Sequence, residues 1–229
     1  MNLALAFAVL LAILVSVADA EWDDAHATFY GDINGGETMQ GACGYGNLFQ
    51  EGYGLETAAS TALFNNGKTC GACFELVCAN SRWCKPNAGS ITVTATNFCP
   101  PNYSPPLNTR WCNPPNKHFD LSMKMFISIA EYSGGIVPVK FRRVKCQTRG
   151  GVRFEIKGNP YFIMVLVYNV GGAGDVTSVA IRGNNSPWIP MQRNWGQNWN
   201  TGVRLVGQRL SELGFGQTFE ASRATLNFH

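Results

Sequence analysis

The segment His118-Phe119-Asp120 sets an imidazole two residues before a carboxylate, ahead of a helix-like run from about Leu121 to Tyr132. A carboxylate at a helix start serves as a cap or a first-turn charge. In a cleft the same group serves as a general acid. Near the other end of the chain, "HATFYG" carries Thr28 and Tyr30 two residues apart. Strand geometry puts such residues on one face. Their hydroxyls would then either line a polar groove beside Asp120 or be satisfied within a sheet. Residue types alone leave both pairs of readings open.

The thiols point to compartment rather than catalysis. Cys70 and Cys73 have the CxxC spacing of a redox or zinc site. Only 3 histidines are present and no second CxxC completes a zinc set, so no metal or other cofactor is expected. Secreted chains oxidise their cysteines. Cys43, Cys70, Cys73, Cys78, Cys84, Cys99, Cys112 and Cys146 all precede residue 147, and none follows. One half is stapled and the other is not, which marks a domain boundary near residue 146.

Residues 1–20 read as a signal peptide. The apolar run from Leu3 to Val17 is short for a membrane span and ends in Ala18-Asp19-Ala20, the small-x-small cleavage pattern. No later run suits a transmembrane segment, so a secreted product is expected. Only 14% of residues are charged and the formal net charge is +3, too little for a nucleic-acid surface. With 45% hydrophobic residues and 25 glycines, the chain suits a folded, turn-rich β protein rather than disorder.

These chemical groups need a scaffold, and the sequence marks it unevenly. "HATFYG", "ACFELVC", "SITVTATNF" and "VPVKFRRVKC" read as strands, most clearly in the β-branched alternation of Ile91 to Thr96. Helices are expected over about Thr57 to Phe64 and about Leu121 to Tyr132. Pro100 to Pro115 is a surface loop holding Cys99 and Cys112. Thr148 to Gly151 reads as a linker. Beyond it, "VRFEIKG", "YFIMVLVYNV" and "TSVAIRG" are strand-like, and "WIPMQRNWGQNW" follows, as in a β-sandwich. Sequons at Asn102 and Asn184 are each followed by proline after the serine, which disfavours glycosylation.

The ordered series "HATFYG", "GACGYGNL", "STALFNNG", "CGACFELVC", "VTATNFCPPN", "WCNPPNKHFDLS" and "GIVPVKFRRVKC" closely resembles the α-expansins of plant cell walls. "YNVGGAGDV" and "WIPMQRNWGQNW" resemble that family's second domain. The resemblance implies a mainly β fold. A six-stranded double-psi β-barrel of the endoglucanase type would occupy 21–146, and an immunoglobulin-like, polysaccharide-binding sandwich 150–229. It implies the pairs Cys43–Cys70, Cys73–Cys146, Cys78–Cys84 and Cys99–Cys112. It also implies a monomer acting on cellulose and matrix glucans such as xyloglucan. Family members loosen walls at acid pH without hydrolysis.

In hydrolases sharing that barrel, the aspartate of the HFD motif is the general acid. An inverting enzyme also needs a second carboxylate, ~6.5–9.5 Å away, as base. "HATFYG" has no acidic residue between His26 and Gly31, and "TATNFC" offers only neutral Asn97. Asp23, Asp24 and Asp32 read as solvated charges. Asp120 is therefore expected to act without a base, as part of a residual polar site with Thr28, Tyr30 and His118. His118 is expected to orient the loop. The alternative is an inverting endoglucanase acting on β-1,4-glucan, which requires a base hidden near Asp120. A binding-only defence protein of the barwin type, sharing the barrel, is disfavoured by the second module.

In the second domain the resemblance implies a glucan-stacking row of Tyr161, Phe162 and Trp195. Aromatic faces pack against the apolar CH faces of sugar rings. Tyr161 and Phe162 are consecutive, so both face solvent only at a bulge or strand end. Trp188 and Trp199 are expected in the core, and Asp175 in a turn. "GQRLSELGFGQTFE" joins segments that family members separate with further strand sequence, so this sandwich is expected to be shortened, with an open edge.

Overall fold

The structure is a computed structural model describing residues 21–35, 39–54, 57–59, 63–104, 110–159, 161–205, 209–215 and 224–225, with backbone alone for 57–59 and beyond 205. The expected signal peptide lies outside the described residues. No helix among the described residues is long and apolar enough to cross a membrane.

Six strands close a barrel: β1 (Asp23–Tyr30), β2 (Thr57–Ala59), β3 (Cys73–Cys78), β4 (Ile91–Asn97), β5 (His118–Ser122) and β6 (Val137–Val144). Their order is β1-β5-β2-β4-β3-β6. The β1–β5 and β2–β4 pairs are parallel and the other pairs antiparallel. Alternation explains what fills the barrel. Ala25 and Ala27 of β1, Phe119 and Leu121 of β5, and Val137, Val139 and Phe141 of β6 point inward and are buried. Phe74, Phe119 and Phe141 meet edge to face with centroids 5.0 to 6.1 Å apart, a preferred aromatic geometry. The intervening residues of β1 (His26, Thr28 and Tyr30) are left on the outer face.

Two local expectations change. Thr57–Ala59 is a strand, not a helix, and Asn65–Gly67 is a short 3-10 turn; 60–62 lie outside the described residues. Ala58 favours a helix in isolation, but the ladder between β4 and β5 offers backbone partners on both sides. Such tertiary pairing outweighs propensities of a few tenths of a kcal/mol per residue. The second helix, α1, covers only Met123–Ile129. Leu121 and Ser122 belong to β5, so Asp120 is a strand residue and no helix cap.

The remaining strands are β7 (Arg153–Asn159), β8 (Phe162–Tyr168), β9 (Ser178–Gly183), β10 (Ile189–Trp195), β11 (Asn198–Thr201), β12 (Arg209–Phe215) and β13 (Ala224–Thr225). Their order is β13-β12-β9-β10-β11-β8-β7. β10 joins two layers: Ile189–Met191 pairs with β9, whereas Gln192–Trp195 pairs with β11 through an irregularity. Ile163, Val165, Val167, Val179, Ile181, Met191 and Trp199 form the core between the layers. The β12 backbone runs along β9, from Leu210 opposite Gly183 to Phe215 opposite Ser178.

All four implied disulfides are present. Two of them sit at the seam between barrel and sandwich. Cys146 exchanges backbone hydrogen bonds with Gly172, at 2.7 and 3.1 Å. The β10–β11 turn enters the barrel side, where Gln197 donates from its backbone N–H to Cys43 O (3.0 Å) and from Nε2 to Cys70 O (2.7 Å). Arg149 and Gly151, in the expected linker, have their carbonyls tied to Asn169 Nδ2.

Candidate functional site

The parallel β1–β5 ladder sets His26 opposite His118, Thr28 opposite Asp120 and Tyr30 opposite Ser122. The outward residues of two strands thus form a polar row on the barrel wall. Thr28 stands at its centre. Its hydroxyl donates to Asp120 Oδ1 at 2.7 Å and lies 2.8 Å from His118 Nε2. A hydroxyl has one hydrogen, so His118 donates Nε2–H to Thr28 Oγ1 and is the Nε2–H tautomer. The chain of donation runs from His118 through Thr28 to Asp120. His118 Nδ1 is buried without a partner, and this tautomer leaves a bare lone pair there instead of a stranded N–H.

Burial dominates both titrations. It pushes the Asp120 carboxyl above its ordinary value, and the Thr28 hydroxyl acts in the opposite sense. Burial, followed by the charge of His26, pulls His118 down to about 4. His118 is therefore neutral over most of the acid range, and it orients Thr28 across the ladder rather than orienting a loop.

The three aspartates considered as a base are engaged elsewhere. Asp23 pairs with Lys117, and Asp24 pairs with Lys140 at 2.9 Å. Asp32 is exposed and accepts from the Asn34 backbone N–H at 2.7 Å, an Asx-turn contact. Asn97 Oδ1 accepts from the backbone N–H groups of Ala42 and Phe98, each at 2.8 Å. It ties the Ala42 loop to the end of β4. Burial is the larger cause of the Asp120 shift and the Thr28 hydroxyl the smaller. No cluster of potential metal ligands occurs among the described residues.

In the sandwich, Tyr161 is 71% exposed, Phe162 40% and Trp195 47%. Consecutive exposed aromatics are possible because Tyr161 lies in the β7–β8 turn, where its N–H donates to Asn159 Oδ1, and Phe162 begins β8. Phe162, Met164 and Leu166 share a sheet face. Leu166 is fully buried against Cys43, Tyr45 and Leu48 of the barrel side, while the Phe162 end stays open. Trp195 stands at the junction, with its ring beside Gly44.

Trp199 is core, as expected, at 3% exposure. Trp188 is not: it is 39% exposed, and Arg182 stacks over it 4.7 Å from the ring centroid. It immediately precedes β10. Asp175 lies in a bend and pairs with Arg143 across the seam at 2.6 Å. The sequence reading missed His26 and Trp111, whose rings meet at 5.3 Å. The period-two pattern of "HATFY" already put His26 on the face of Thr28, whereas its contact with Trp111 needed the tertiary fold.

Profiles of two protein families match the chain. The Expansin C-terminal domain matches residues 152–221, and a double-psi barrel family described as Lytic transglycolase matches 56–141. Expansin-A23 of Arabidopsis thaliana is 58% identical over 223 aligned residues, covering 88% of this chain and 80% of the relative. Expansin-A24 of the same plant is 65% identical over 192, covering 83% and 61%. Expansin-A13 of Oryza sativa subsp. japonica is 52% identical over 196, covering 83% and 74%. Among solved structures, the apo expansin of Clavibacter michiganensis superposes with a TM-score of 0.63 at 17% identity, covering 86% of this chain and 87% of that one. A mutant of that protein in complex with cellohexaose gives 0.61 at 16% identity, with the same coverage. At such identity these structures speak for the fold alone. A double-psi barrel followed by a β-sandwich, four disulfides and this level of identity to several plant relatives place the chain in the α-expansin family.

Proposed function

We propose that this chain is a secreted, monomeric plant wall protein that loosens walls by disturbing non-covalent contacts between cellulose and matrix glucans such as xyloglucan, without hydrolysis. One observation carries the reading. Asp120 is held in a hydrogen-bond chain with Thr28 and His118, while Asp23 and Asp24, considered as its base, are paired with Lys117 and Lys140. Inverting hydrolysis needs a carboxylate pair, about 6.5–9.5 Å apart, with water between. A lone acid in a polar row can instead exchange hydrogen bonds with glucan hydroxyls. Four disulfides suit an oxidising compartment outside the cell.

The exposed Tyr161, Phe162 and Trp195 would hold the polysaccharide by stacking on sugar rings. The cellohexaose complex of the Clavibacter michiganensis protein supports a glucan partner for this architecture. The test is extension of heat-killed wall strips under load, with soluble sugar measured in parallel. Creep without sugar release is expected from the parent. Trp195→Ala should weaken binding to cellulose. Steady sugar release that Asp120→Asn abolishes would identify an endoglucanase instead, and Asp32 would be the first residue to test as its base.

A further inference from the structure

We infer that Trp111, backed by His26, forms a second sugar-stacking subsite, on the barrel itself, that receives one glucopyranosyl ring of a β-1,4-glucan next to Asp120. This rests on the glucan-binding function proposed above and adds a position to it. His26 and Thr28 are same-face neighbours on β1, ~7 Å apart along the strand, about the scale of one sugar ring. The His26 ring meets Trp111 at 5.3 Å with the planes tilted by 34°. Trp111 thus extends the row of Thr28 and Asp120 with an apolar surface. Polar groups beside an aromatic face are the pairing a pyranose requires, with hydroxyls around its rim and CH groups on its faces.

Trp111 is also held in place. The loop carrying it is closed by Cys99–Cys112, with Cα atoms 6.0 Å apart. Asn113 accepts from the Asn102 N–H at 2.7 Å and donates to the Asn102 carbonyl at 2.9 Å. Arg110 donates to Tyr103 O at 3.0 Å, and the His26 N–H donates to Lys117 O at 3.2 Å. Cys112 and Asn113, which follow Trp111, are buried, whereas Trp111 itself is 36% exposed. The loop thus presents a partly open indole ring beside His26 from a restrained backbone. Rigidity lowers the ordering cost of binding.

The test uses the full chain and cellohexaose as the probe. In a Trp195→Ala background, which removes one ring of the sandwich platform and leaves Tyr161 and Phe162, calorimetry reads the residual binding, with the barrel's share measured by the Trp111 variants. Adding Trp111→Ala should weaken that binding roughly fivefold to tenfold, and Trp111→Phe should restore most of it. In the parent, the Trp111 indole N–H resonance, assigned by its loss in Trp111→Phe, should shift as cellohexaose is added. Equal affinities with and without Trp111→Ala, an unmoved indole signal at saturation, or no residual binding in Trp195→Ala would each overturn the subsite. A parent that binds cellohexaose with Trp111 silent sinks this inference alone. A parent that binds no cellohexaose sinks it together with the glucan-binding reading.

Discussion

The Thr28 hydroxyl donates to the Asp120 carboxylate at 2.7 Å across a parallel pair of strands 92 residues apart in sequence. The same oxygen accepts from His118, so one threonine orders both ionisable groups. Thr28→Val keeps the shape and removes the link. It leaves the His118 N–H without its acceptor and withdraws a hydrogen bond that lowers the Asp120 pKa. A hydrogen bond to a charged group is worth ~1.5–3 kcal/mol. We expect a stability loss of that order in urea unfolding at pH 7, a further rise in the Asp120 pKa by carboxyl NMR, and a sharp fall in wall creep. Unchanged unfolding would show that Thr28 does not hold the pair together.

Asp120→Asn separates function from stability. The folded-state pKa of Asp120 is raised by burial above its ordinary 3.8. The folded protein therefore binds this proton more tightly than the unfolded chain. The resulting stabilisation is fully present below pH 3.8 and is lost as pH rises through the folded value. Asparagine carries no such penalty at neutral pH. Asp120→Asn is expected to gain stability relative to the parent between acid and pH 7, while losing creep. Parallel melting curves for the two proteins across that range would count against a buried carboxylate.

His118 acts in the opposite sense. Its folded pKa falls from 6.5 to about 4, chiefly through burial. The unfolded chain binds a proton first as pH drops, so the contribution of neutral His118 is complete above 6.5 and is lost on acidification toward 4. At about 1.4 kcal/mol per pKa unit, the loss is of order 3 kcal/mol. His118→Gln should flatten this part of the pH–stability curve. Imidazole NMR should show an Nε2–H tautomer titrating with a midpoint near 4; a midpoint near 6.5 would mean that the ring is solvated.

The seam offers a test independent of Asp120. Gly196 has φ +53, and a Cβ there would collide with the Cys43 carbonyl oxygen. Its neighbours Trp195 and Gln197 are the residues that approach Gly44 and donate to Cys43 and Cys70. Gly196→Ala should push the β10–β11 turn off the barrel, at a cost of about 1–3 kcal/mol for the clash and the left-handed backbone. Trypsin should then cut faster after exposed Arg149, leaving the barrel disulfide-bonded. Parental cleavage rates would show that the seam tolerates the methyl group.

Local pattern settled much of this protein. The alternation in "HATFY" placed Thr28 and Tyr30 on one face, and the strand signals at Ile91–Asn97 and Val137–Val144 met strands. The position of the cysteines pointed to a boundary near residue 146, while resemblance to the α-expansins supplied the disulfide pairs and the double-psi topology. Local pattern failed where a partner distant in sequence decided the outcome. Thr57–Ala59 became a strand because two barrel neighbours offered it hydrogen bonds. Trp188 stayed at the surface, immediately before β10 and stacked under Arg182. A period of two can say that Thr28 and Asp120 each point outward on their own strands. Only barrel closure sets the parallel register that makes them neighbours, because register depends on the partner strand and on the backbone hydrogen bonds that join the two.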